Sequence, residues 1–64
     1  MIPKRIIIYP KDVQRITGRT ERYGRKLLNQ IKKELKKDDH QLVTIHDFAD
    51  YTGIELEHIK PYLD

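Results

Sequence analysis

Hydrophobic residues along this chain follow two spacings. Two short runs are continuous and rich in β-branched or aromatic side chains: Ile6, Ile7, Ile8 and Tyr9, then Leu42, Val43, Thr44 and Ile45. Both read as strands, the first closed by Pro10. Elsewhere the apolar positions recur every three or four residues, the helical spacing. Advancing about 100° per residue from Tyr23, Tyr23, Leu27, Leu28, Ile31 and Leu35 fall within an arc of roughly 140°. Arg22, Arg25, Lys26, Asn29, Lys32, Lys33 and Lys36 fall on the opposite arc. The spacing predicts one long amphipathic helix over 20–37, with an apolar stripe for the core and a basic stripe for the outside.

Local signals place shorter helices after each strand. Pro10 suits a first helical position, where a missing N–H costs nothing. Asp12 then lies in the first turn, where a negative charge suits the helix dipole. Thr44 can cap the second such helix, with Asp47 three residues on as a capping box. Both helices end at a glycine, Gly18 and Gly53, suited to the left-handed conformation of a tight turn. Gly24 lies inside the apolar arc of the long helix. It weakens that helix by about 1 kcal/mol relative to Ala, which points to a close helix crossing there.

These signals repeat. Shifted by 35 positions, Asp12, Thr17, Gly18 and Leu28 fall on Asp47, Thr52, Gly53 and Leu63. Val13, Ile16 and Leu27 fall on Phe48, Tyr51 and Tyr62. The expected fold is mainly α: a small helix-turn-helix domain of two β-α-α-like units with a short two-stranded sheet. A twofold relation between the units makes the strand pair antiparallel. Residues 1–64 form one domain, with 1–37 the first unit and 38–64 the second.

Charge separates the two units. Residues 1–37 hold twelve Lys or Arg against three acids, a net +9, whereas 38–64 hold one Lys against seven acids, a net −6. A basic half of this kind suits a polyanion. With 64 residues there is room for one small core and no deep substrate cleft. The absence of cysteine excludes disulfides and thiolate metal sites, and the absence of serine excludes a serine nucleophile. His40, His46 and His58 lack metal-ligand spacing. No enzymatic activity, metal or other cofactor is expected. No apolar run approaches a membrane span, and the run at 5–9 is too short for a signal-peptide core, so a cytoplasmic protein with no membrane partner is expected.

Residues 9–28, YPKDVQRITGRTERYGRKLL, resemble the first two helices of excisionase-like and MerR-like DNA-binding domains. Those typically open with a short strand and continue as (T/S)-x-x-(E/D)-V-A-x-x-(T/L)-G-V-S. Pro10, Asp12, Val13, Gly18 and Thr20 match, and Leu27 fits a later apolar position. Gln14, Arg19 and Gly24 depart, and no Gly-rich hairpin wing follows; the second unit stands in its place. The resemblance implies a small DNA-binding protein of the helix-turn-helix type, a transcriptional regulator or mobile-element accessory factor, with double-stranded DNA as its partner.

On that reading the long basic helix enters the major groove. Arg22, Lys26 and Asn29 are the candidates for base edges. Lys11, Arg15, Arg19, Thr20, Arg25, Lys32 and Lys33 are the candidates for phosphates. The second unit fits the packing positions well through Phe48, Ala49, Gly53, Ile54, Ile59 and Tyr62, yet Asp50, Glu55 and Glu57 would repel phosphate. The alternative is a protein-interaction module without DNA binding. It would use Tyr51, Leu56, Tyr62 and Leu63 of the acidic half for a homodimer or another protein. RNA is less favoured, since the basic half has no evident aromatic stacking surface.

Overall fold

Pro10 opens the first helix and a glycine closes it. In the computed structural model, which describes residues 6–63, α1 runs Pro10–Thr17 and Gly18 ends it at φ 75°, its N–H donating to the Gln14 carbonyl at 2.8 Å. After a three-residue turn, α2 runs Glu21–Glu34. Its N-cap is Thr20, whose hydroxyl accepts the Tyr23 N–H at 3.0 Å. An extended stretch leads to α3, Ile45–Thr52, ended by Gly53 at φ 79°. A second three-residue turn leads to α4, Leu56–Ile59, which continues as a 3₁₀ turn, Lys60–Tyr62.

The expected two-stranded sheet does not form. Among the described residues the extended segments meet in one isolated antiparallel bridge, Ile7 with Thr44. Ile8 N–H donates to Val43 O at 3.1 Å and Ile45 N–H to Ile6 O at 2.7 Å. The ladder stops because both segments run into helices: Pro10 has no N–H to offer and Ile45 already belongs to α3, while the N–H groups that face away from the bridge cap the helix starts. Tyr9 N–H donates to the Asp12 carboxylate at 2.8 Å, and Thr44 N–H to the Asp47 carboxylate at 3.1 Å. Ile45, read as the end of a strand, is the first residue of α3. The β-α-α description is therefore replaced by two helix-turn-helix pairs joined through a single bridge.

The long helix is shorter than the 20–37 the spacing predicts. It ends at Glu34 with Lys36 in the left-handed region, φ 56°. Lys36 N–H donates to Lys33 O at 3.1 Å and Lys37 N–H to Lys32 O at 2.9 Å. This is the Schellman pattern, with a lysine where a glycine is usual. In the second pair α4 is a single turn, because Pro61 has no N–H to continue it.

The 35-residue offset reappears in individual hydrogen bonds. Thr17 Oγ1 donates to Val13 O at 2.7 Å, as Thr52 Oγ1 does to Phe48 O at 2.8 Å. Arg19 N–H donates to Thr17 Oγ1, and Ile54 N–H to Thr52 Oγ1, both at 3.2 Å. The core uses equivalent positions as well. Ile8 and Val43, Val13 and Phe48, and Leu28 and Leu63 are all buried, with Ile31, Ile45 and Ile59 completing it.

Candidate nucleic-acid interface

Packing orients α2 and so decides which face is free. Gly24, Leu28 and Ile31 form its buried side. Gly24 lets α1 come close: a Cβ there would lie 2.5 Å from the Pro10 carbonyl oxygen. With that side fixed, Arg22, Lys26, Asn29 and Lys33 lie exposed along the opposite side of a helix about 21 Å long. Among the described residues, Arg22, Lys26 and Lys33 have no ion-pair partner. Their charge is therefore directed to solvent.

The phosphate candidates divide by position. Lys11 and Arg15 are exposed one turn apart on α1. Arg19 lies in the turn, its guanidinium 4.6 Å above the Tyr23 ring centroid. Its orientation is thus set by stacking rather than by a carboxylate. The Thr20 hydroxyl is occupied in capping α2. Arg25 pairs with Glu21 at 3.4 Å, both side chains well exposed, an arrangement an incoming anion can displace at little cost. Lys32 is half-buried and its ammonium donates to the Asp39 carbonyl at 3.1 Å. Arg22, Lys26, Asn29 and Lys33 thus form one stripe, while Arg25 and Lys32 stand on its flank.

That flank borders a feature the sequence pattern does not reveal. Arg25, Asn29 and Lys32 share a cleft of about 160 Å³ with Tyr9, Leu42 and the apolar ends of the two extended segments. Three stretches far apart in sequence build it, so no local period signals it. Gln30 was also missed: it is exposed beside the stripe and its amide donates to the Tyr51 hydroxyl at 3.1 Å, linking α2 to the acidic half.

The acidic half is joined to the basic half by charge. Lys37 Nζ lies 3.1 Å from Asp47 Oδ2 at the start of α3, both side chains mostly buried. Burial pushes the Asp47 carboxyl up. The Thr44 N–H, the Lys37 ammonium and the Thr44 hydroxyl together outweigh it and hold the group below its ordinary value. Asp50, Glu55 and Glu57 are exposed. Glu55, Glu57 and His58 bring potential ligand atoms within 4.8 Å of one another, but all are exposed, Glu55 as the N-cap and the other two within a four-residue helix. No described helix is long and apolar enough to cross a membrane.

Comparison with known proteins gives no match to a family model, to a curated protein or to a solved structure.

Proposed function

We propose that this chain binds duplex DNA through the exposed side of α2. One observation carries the reading: three cations without ion-pair partners among the described residues, Arg22, Lys26 and Lys33, share a stripe with Asn29 on the second helix of a helix-turn-helix pair. Arg and Lys match the acceptors of guanine and Asn the donor–acceptor pair of adenine. Those nearest the helix N-terminus, Arg22, Lys26 and Asn29, take the base edges, because a groove-inserted helix presents that region to the bases. Lys11, Arg15, Arg19, Arg25, Lys32 and Lys33 take phosphates, and Thr20 holds the helix start that faces them.

The proposed role is that of a transcriptional regulator or mobile-element accessory factor on DNA. It would act in the cytoplasm. The acidic half supports the basic half through Phe48, Ile59 and Leu63 in the shared core.

Selection of duplexes from a random pool tests the proposal and yields any preferred site. On that site, Arg22→Ala or Asn29→Ala should cost about 1–3 kcal/mol and little on random duplex. Equal losses on both would remove base reading from α2.

A further inference from the structure

Exposed apolar side chains on a small chain mark contact surfaces when they gather in one place. Tyr9 and Leu42 are each about half exposed, at 49% and 51%. Leu42 comes from the segment before α3 and Tyr9 from the one before α1, and both line the same cleft. Its floor is Leu28 and Val43, both buried. Arg25 and Lys32 stand at the rim, and among the described residues no acidic one lines the cleft; Glu21 pairs with Arg25 at 3.4 Å, both side chains well exposed, so a partner's carboxylate can displace it. Lys32 is held in place by the Asp39 carbonyl, so its charge is already positioned there.

The volume decides the size of the occupant. At about 160 Å³ the cleft matches the apolar cavity of about 150 Å³ that accepts a benzene molecule. It holds one aromatic or leucine side chain, not a lipid tail or an amphipathic helix face. The rim decides the charge of what surrounds that side chain. We infer that this cleft captures an acidic segment of a partner protein, which packs one aromatic side chain against Tyr9 and Leu42 and places carboxylates at Arg25 and Lys32. One buried aromatic anchor inside a polar rim is the usual distribution of energy in such contacts. Arg25 and Lys32 are also assigned to phosphates, so the acidic segment and a duplex compete for them, and the peptide titration is run without DNA.

The test is an NMR titration of the full chain with a capped peptide carrying one phenylalanine between two pairs of acidic residues. The expected result is a shift of the Leu28, Leu42 and Val43 signals. Leu42→Glu and Arg25→Gln should each weaken binding at least about fivefold. Both positions are exposed, and the amide spectrum of each variant reports that the fold is kept. A peptide with alanine in place of phenylalanine should leave the spectrum unchanged. Shifts that map elsewhere, persist in Leu42→Glu, or are matched by the alanine peptide would overturn the inference. Self-association of the free chain that moves the same signals would also overturn it, by giving the cleft to a second copy.

Discussion

A Cβ on Gly24 would lie 2.5 Å from the carbonyl oxygen of Pro10 and 3.1 Å from the Val13 Cβ. The first of these neighbours is backbone at the start of α1, which cannot move without displacing that helix. Alanine improves intrinsic helix propensity by about 1 kcal/mol, while forcing apart a well-packed contact costs about 1–3 kcal/mol. The clash wins, and Gly24→Ala should lower stability by about 1–2 kcal/mol in urea unfolding. Gly18 is the contrasting case. Nothing lies within 4 Å of a Cβ there, but its φ is 75°. Asparagine tolerates that conformation, so Gly18→Asn should cost little and Gly24→Asn at least as much as alanine.

Lys36 carries left-handed backbone strain of about 1–2 kcal/mol. Glycine removes it but gives back part of the gain through a more flexible unfolded chain. Lys36→Gly should therefore raise stability by about 0.5–1 kcal/mol, read from the urea midpoint at constant slope. A loss would show that the Lys36 side chain makes a contact of larger worth.

The Lys37–Asp47 pair gives stability a defined pH dependence. The Asp47 carboxyl is held below its ordinary value, so the folded state binds its proton less readily than the unfolded state. Its contribution is complete above about pH 4–5 and is lost as pH falls through the depressed folded value. Asp47→Asn should cost about 1 kcal/mol at pH 7 and much less near pH 2. A penalty equal at both pH values would assign the effect to packing or to the cap geometry rather than to charge.

Helix starts and glycine stops were legible in the sequence because each rests on one or two residues. Pro10, Asp12 and Gly18 act locally, as do Thr44, Asp47 and Gly53, and their hydrogen bonds lie where those residues imply. The sheet was not legible. Ile6–Tyr9 and Leu42–Ile45 have strand composition, but the helix starts at Pro10 and Ile45 end the pairing after a single bridge. The end of α2 was missed for a related reason: a lysine at φ 56° gives no glycine signal. The amphipathic face of α2 fixed most of which side chains are exposed, since Gly24, Leu28 and Ile31 sit on its buried side, but Leu35 of the same arc lies past the end of the helix and is exposed. The tether on Lys32 and the cleft beside it depend on residues 39 and 42, which no periodicity connects to the helix.

If α2 and its flanks meet the phosphates of a duplex, duplex binding must weaken steeply with salt. Six cations are assigned to phosphates: Lys11, Arg15, Arg19, Arg25, Lys32 and Lys33. Each displaced counterion contributes about 0.9 to the slope of log affinity against log salt, so the slope should be near −5. Lys33→Ala should reduce it by about one on every sequence, whereas Glu57→Ala in the acidic half should leave the preference between sequences unchanged. A slope near zero, or no binding of any duplex at low salt, would contradict the account.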